Sequence, residues 1–144
     1  MQPAIISPPW TTMTAYDLNQ GVIKWQIPLG NAPQGAAENL KDTGVMMARN
    51  GPVVTASGLV FIATKNEGKL RAYDEETSKV VWEAELPAAS EGVPAVYEVD
   101  GREYIVVCAA SEKETEIPRD GPEEPTGQVV HRSYIAFALP KGMN

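Results

Sequence analysis

AYDLNQGVIKW, running from Ala15 to Trp25, and AYDEETSKVVW, running from Ala72 to Trp82, are two versions of one phrase. Each position of the second copy lies 57 residues after its counterpart, as from Asp17 to Asp74 (74 − 17) and from Trp25 to Trp82. A fixed period with constant internal spacing marks a repeat architecture, in which each unit leaves faces that only a neighbour can cover. The shared pattern is A-x-D-x-x-x-G-x-x-x-W, filled by Ala15, Asp17, Gly21 and Trp25, then by Ala72, Asp74, Ser78 and Trp82. The alternative, two hairpins that agree by coincidence, has to explain an identical Ala-Tyr-Asp and one conservative replacement, Ser78 for Gly.

Each copy reads as a hairpin: a strand ending at Ala-Tyr-Asp, a turn through Asn19-Gln20-Gly21 or Thr77-Ser78, and a return strand carrying Trp. Asp accepts hydrogen bonds from turn amides, Gly suits positive φ, and Ala leaves room for a neighbour. A Trp at the same place in each copy can cover an adjacent unit while its indole N–H finds a carbonyl.

Outward from the repeat, short β-rich runs bounded by Gly, Pro, Asp and Asn continue through the chain, and helical periodicity is hard to find. Strands are expected at Thr12–Tyr16, Val22–Ile27, Val53–Thr55, Leu59–Thr64, Leu70–Tyr73, Val80–Leu86, Ala95–Val99, Arg102–Ala109 and Ser133–Leu139. Asp100-Gly101 is the two-residue type I′ hairpin signal, because both central positions need positive φ. Two long connections interrupt the strands. One is Asn31–Asn50, with Leu40 and Val45-Met46-Met47 as its apolar anchors. The other is Ser111–Arg132, rich in carboxylates and prolines and read as a solvated loop. The fold class is therefore all-β. A four-stranded repeat of this length suits a propeller blade, since radial stacking buries both faces of each small sheet.

The 144 residues carry 43% hydrophobic and 22% charged side chains, the composition of a globular chain and not of a disordered one. A net charge of −7 repels phosphate backbones and anionic lipid surfaces, so nucleic acid is excluded as an expected partner. No run of residues is long and apolar enough for a helical membrane span, and the Pro-rich start shows no signal-peptide pattern. An abrupt start of this kind suits a segment whose upstream portion is missing. Cys108 alone cannot form an internal disulfide; in the apolar run Tyr104–Ala110 a buried, inert thiol is expected. His131 is the only histidine, so no multi-histidine metal site is possible, and it reads as a surface residue before a strand. Trp10, behind Pro8-Pro9, either lines a loop or staples the entering chain, the staple being preferred.

The two copies resemble the tryptophan-docking motif of pyrroloquinoline-quinone (PQQ) dehydrogenases. The stretches PPWTTMTAYDLNQGVIKWQIPLG, GPVVTASGLVFIATKNEGKLRAYDEETSKVVWEAELP, VYEVDGREYIVVCAAS and YIAFALP are similar to the C-terminal end of the membrane-associated glucose dehydrogenase branch. The resemblance implies a partial β-propeller, about two to three blades of an eight-bladed quinoprotein propeller. Residues 1–30 end one blade, 31–50 connect, and 51–90 form a complete blade. Residues 91–144, with the long loop 111–132, form a last blade lacking its closing strand.

The resemblance also implies PQQ and calcium in the full-length family, a sugar or polyol substrate of the glucose type, a quinone acceptor and an extracytoplasmic location. In such enzymes an aspartate takes the alcohol proton while calcium polarises the quinone carbonyl. The family places its catalytic base and calcium ligands upstream of the matched region, so no catalytic or metal residue transfers and binding of PQQ by this chain alone is doubtful. One cofactor-side position does transfer, Glu67, where the family usually has Asp; a solvated turn carboxylate is the other reading. A Gly-Gly-His at the family's active-site mouth corresponds to Ala110-Ser111-Glu112, and a Gly-Gly-Pro to Asn50-Gly51-Pro52. A second reading is a non-catalytic propeller-repeat scaffold. Under either reading, open sheet edges point to missing blades or to self-association as the partner.

Overall fold

The structure, a computed structural model, describes residues 6–31, 42–45, 49–65, 67–110 and 132–138. They form nine strands: β1 (Thr12–Asp17), β2 (Val22–Pro28), β3 (Val53–Val54), β4 (Leu59–Thr64), β5 (Lys69–Asp74), β6 (Val80–Glu85), β7 (Ala95–Val99), β8 (Arg102–Ala110) and β9 (Arg132–Ala138). No helix occurs among the described residues, and every expected strand is present within a residue or two at its ends. The strands pair antiparallel in three sheets, β1-β2, β3-β4-β5-β6 and β7-β8-β9.

The sheets stack, and the middle one supplies both interfaces. Side chains alternate across a strand, so β4 sends Phe61 and Ala63 one way and Val60 and Ile62 the other. Phe61, Ala63, Leu70 and Ala72 pack against Ile105 and Val107 of the third sheet. Val60, Ile62 and Tyr73 pack against Met13 and Leu29, with Trp25 and Ile27 partly buried beside them. This explains why LVFIAT is apolar without alternation: a strand covered on both faces has no solvent side to mark. Full burial of Ile62 or Leu70 contributes about 1.5–3 kcal/mol each.

The repeat is visible in register. Ala15 lies opposite Trp25 and Ala72 opposite Trp82, and in both hairpins the register shifts at the next residue. The extra residue, Lys24 or Val81, precedes the Trp, and such a bulge re-aims a side chain on the bulged strand. In both turns the Asp carboxylate caps the loop. Asp17 Oδ1 accepts from the amides of Asn19 and Gln20, and Asp74 Oδ1 from the amide and hydroxyl of Thr77. Gly21 (φ +68°) and Ser78 (φ +60°) each close the turn with an amide donated to that Asp's carbonyl. Ser78 therefore holds, at a conformational cost, the backbone that glycine adopts freely. Asp100 and Gly101 both have positive φ, as the hairpin signal requires.

Antiparallel alternation sends the short turns after β1, β3, β5 and β7 to one end of the stack. The other end gathers the connectors β2–β3 and β6–β7 and the β4–β5 turn. There Asn50 donates to the Ser90 carbonyl, and Lys65 and Arg49 both face the Glu91 carboxylate.

Candidate functional site

The acidic position singled out from sequence, Glu67, sits at this connector end in the tight β4–β5 turn, half-buried between the first and middle sheets. Strand β5 brings Arg71 beneath it, four residues on. The guanidinium grips the carboxylate with two bonds, Nη1 to Oε2 at 2.5 Å and Nη2 to Oε1 at 3.0 Å. Bidentate pairing of this kind is among the stronger hydrogen-bonded contacts because geometry and charge agree. Thr64 Oγ1 donates to Oε2 and Asn31 Nδ2 to Oε1, each at 3.0 Å. Both carboxylate oxygens are thus engaged by the chain's own donors.

The network continues outward across the sheet. Arg71 Nε donates to Glu83 Oε2 on the facing β6, and Lys69 Nζ donates to Glu83 Oε1. Arg71 and Glu83 are direct cross-strand partners. Two cations and two carboxylates therefore alternate in a neutral chain, with the Arg71 and Glu67 side chains only 12% and 16% exposed. Burial alone would push the Glu67 carboxyl up; the Arg71, Asn31 and Thr64 hydrogen bonds and the Arg71 charge outweigh it and hold the group below its ordinary value. Glu83 is likewise held down, by Lys69 first and Arg71 second. The bond with Glu67 pushes Arg71 upward.

Towards the first sheet the contacts are close. A Cβ at Gly30, whose φ is +66°, would lie 2.8 Å from Glu67 Oε2. The Asn31 amide that donates to Glu67 also accepts, through Oδ1, the Asp42 amide. The 42–45 segment is tied further by Gly44 N–H to the Gly30 carbonyl and Val45 N–H to the Leu29 carbonyl. The Trp10 amide donates to the Thr43 carbonyl, and its indole closes back on the Ile6 carbonyl at 2.9 Å, so Trp10 staples the entering chain.

The repeat residues gather at the opposite end and along the sheet interfaces. The Trp25 indole donates to the Glu75 carbonyl at 2.7 Å, in the turn of the adjacent sheet, and Lys24 pairs with Glu76 there. Trp82 meets Phe61 and Phe137 edge-on, with ring centroids 6.5 and 5.4 Å away. These rings border a cavity of about 420 Å³ between the middle and third sheets, lined also by Leu59, Ala72 and Ile105. Its lining is mainly apolar, with Ser57 and Glu103 as the polar residues. The site residues therefore fall into two sets: Glu67 at the connector end, and the two Asp-turn-Trp copies at and towards the other.

Cys108 departs from the sequence reading. It is exposed, because Ile105, Val107 and Ala109 take the inward positions of β8 and alternation turns Cys108 out. His131 and the Ser111-Glu112 pair lie outside the described residues, as do Leu40, Met46, Met47, Leu139 and Pro140. Sequence reasoning missed Arg71, Asn31 and Gly30. Only the first left a signal, an opposite charge four residues from Glu67 across a tight turn.

Among the described residues no group of three or more His, Cys, Asp and Glu could hold a metal ion. The one position expected near a cofactor has both oxygens committed to the protein. These residues by themselves do not fit PQQ with its calcium ion.

The family model for the PQQ glucose/ethanol/alcohol dehydrogenase β-propeller domain matches residues 2–105. The chain belongs to this family. Within this PQQ dehydrogenase family, the glycerol dehydrogenase large subunit of Gluconobacter oxydans is 40% identical over 71% of the chain and 14% of the relative's length. The quinate/shikimate dehydrogenase (quinone) of Acinetobacter baylyi is 37% identical over 93% of the chain and 16% of its own length. The quinoprotein glucose dehydrogenase of Escherichia coli is 32% identical over 71% and 13%. Among solved structures, a europium-containing methanol dehydrogenase overlays with a TM-score of 0.51 at 27% identity, across 69% of this chain and 15% of that one. The chain thus spans about one seventh of the length of the curated relatives it matches. No helix of the described residues is long and apolar enough to cross a membrane.

Proposed function

We propose that this chain is the C-terminal portion of a PQQ-dependent dehydrogenase that oxidises a sugar or polyol and passes electrons to a quinone. The family match over residues 2–105 carries the reading. Relatives named for glycerol and for quinate or shikimate, at 40% and 37% identity, favour a polyol within that class over glucose, at 32%. PQQ, when bound, supplies the two-electron acceptor; this chain supplies part of the propeller wall. Residues 1–30, 51–90 and 91–144 are read as the end of one blade, a complete blade and a blade awaiting its last strand. The two Asp-turn-Trp copies, Ala15, Asp17, Gly21, Trp25 and Ala72, Asp74, Ser78, Trp82, dock one blade on the next.

The connector end is the cofactor side in this reading, with Glu67 facing it, and the working location is extracytoplasmic. The catalytic base and calcium ligands come from the rest of a longer polypeptide. The unpaired edges of the first and third sheets are where the remaining blades, or a second copy, add.

The test is titration of a longer polypeptide carrying this chain with PQQ and calcium, followed by dye-linked oxidation of glycerol, quinate and glucose. Uptake of PQQ with polyol oxidation supports the proposal. A longer polypeptide carrying this chain that takes up no PQQ, yet captures another protein along its sheet edge, overturns it in favour of a scaffold.

A further inference from the structure

Glu67 lies on the cofactor side of the proposed function, yet both its carboxylate oxygens are engaged by the chain's own donors. Arg71 takes both oxygens in a fork, Thr64 takes Oε2 and Asn31 takes Oε1. The Asn31 bond has a consequence. An amide that donates through Nδ2 to Glu67 must turn its Oδ1 the other way, and there it accepts the Asp42 amide at 2.9 Å. Asp42 has φ +56°, a backbone conformation that costs free energy for a residue with a Cβ and needs a partner to hold it. Gly30, beside it, leaves only enough space for Oε2. The order of contacts is therefore Glu83, Arg71, Glu67, Asn31, Asp42, running from strand β6 to the β2–β3 connector.

We propose that Glu67 is a positioning residue: through the Asn31 amide it holds the 42–45 segment of the connector in place on the cofactor side, and it does not itself contact a cofactor. The assignment of that end to PQQ rests on the proposed function; the clasp itself does not. It also accounts for an acidic side chain longer than Asp at this position. A carboxylate one methylene shorter, on the same backbone, would have to reach the Arg71 fork and the Asn31 amide from further back.

Hydrogen exchange of the full chain, read at the amides of Asp42, Gly44 and Val45, tests the clasp. The amides of β7 and β8 serve as an internal control for folding. Glu67→Gln and Asn31→Asp, separately, are expected to speed exchange in 42–45 about tenfold, the loss of roughly one charge-assisted hydrogen bond, and to leave β7 and β8 unchanged. Asn31→Asp retains an acceptor for Asp42 but sets a carboxylate against Glu67. The two substitutions combined exchange donor for acceptor across the Asn31 contact, while Arg71 keeps only the remaining amide oxygen at position 67, so protection is expected to recover in part and to exceed that of either single variant. A merely structural loss at either position would add in the double variant instead of cancelling.

PQQ titration adds the second arm. If Glu67 acts through the connector, Glu67→Gln and Asn31→Asp in the longer polypeptide weaken PQQ binding in proportion to their loss of protection in 42–45, and the double variant recovers both together. Weaker PQQ binding in Glu67→Gln alone, with 42–45 still protected, overturns the inference and makes Glu67 a direct contact. Failure of an unsubstituted longer polypeptide carrying this chain to bind PQQ refutes the functional reading, while the exchange data still decide the clasp.

Discussion

Replacing Gly30 with Ala should cost more than replacing Gly21 with Ala, although the two backbones are nearly the same. Gly30 has φ +66° and Gly21 φ +68°, so an added Cβ pays the same left-handed penalty at each, about 1–2 kcal/mol. At Gly21 the new atom meets nothing within 4 Å. At Gly30 it lies 2.8 Å from Glu67 Oε2 and 3.2 Å from Thr64 Cγ2 and Val45 Cγ1. A free carboxylate would swing aside at little cost. This one can move only by lengthening its bonds to Arg71 and Thr64, and a charge-assisted hydrogen bond contributes about 1.5–3 kcal/mol. Weakening one without losing it sets an excess of about 1–2 kcal/mol, for a total near 2–4 kcal/mol at Gly30. Urea unfolding followed by tryptophan fluorescence measures both variants, with equal m-values as the condition for comparing midpoints. Repeating Gly30→Ala in a Glu67→Ala background should remove most of the excess, because the nearest obstructing atom is gone while the 3.2 Å contacts with Thr64 and Val45 remain. If Gly30→Ala and Gly21→Ala agree within about 0.5 kcal/mol, or the excess survives undiminished in the Glu67→Ala background, the tightness ascribed to the clasp is wrong.

Other expectations concern the repeat and the charges. Ser78→Gly should stabilise the fold by about 0.5–1 kcal/mol, since Ser78 holds φ +60° that glycine adopts without strain; unchanged urea midpoints would argue against that geometry. Trp25→Phe keeps most of the apolar contact but removes the donor to the Glu75 carbonyl, at a cost of about 0.5–1.5 kcal/mol in the same assay. Trp82→Ala strips the edge-on contacts with Phe61 and Phe137 and should cost about 2–4 kcal/mol, moderated because Trp82 is 40% exposed. Glu67 gives a pH dependence. Its folded carboxyl lies below the usual 4.5, so its stabilisation is complete above that value and is lost as pH falls through the lower folded value. Midpoints should hold steady down to about pH 5 and then drop. Glu67→Gln should flatten part of that drop, and a slope equal to that of the unsubstituted chain would contradict the assignment.

Much of this architecture was legible because its signals are local. Asp-Gly at 100–101, the Asp that caps each repeat turn and the apolar runs between them act within a few residues, so strands and hairpins followed from the chain directly. The period from Trp25 to Trp82 then required units that stack, and the resemblance of the same stretches to PQQ dehydrogenases agreed with the family match. What stayed hidden depended on which side chains three separate sheets bring face to face. Cys108 sits in an apolar run, yet strand alternation turns it outward once Val107 and Ala109 have faced the core. Glu67 could be read as an acidic turn residue near a cofactor. That Asn31, 36 positions away, and Gly30 close around it depends on the first sheet being laid against the middle one. The sequence alone determined the repeat and its strands, because spacing and turn chemistry are properties of neighbours along the chain. The tertiary structure alone decided what Glu67 holds, because a carboxylate takes its partners from whatever donors packing delivers to it.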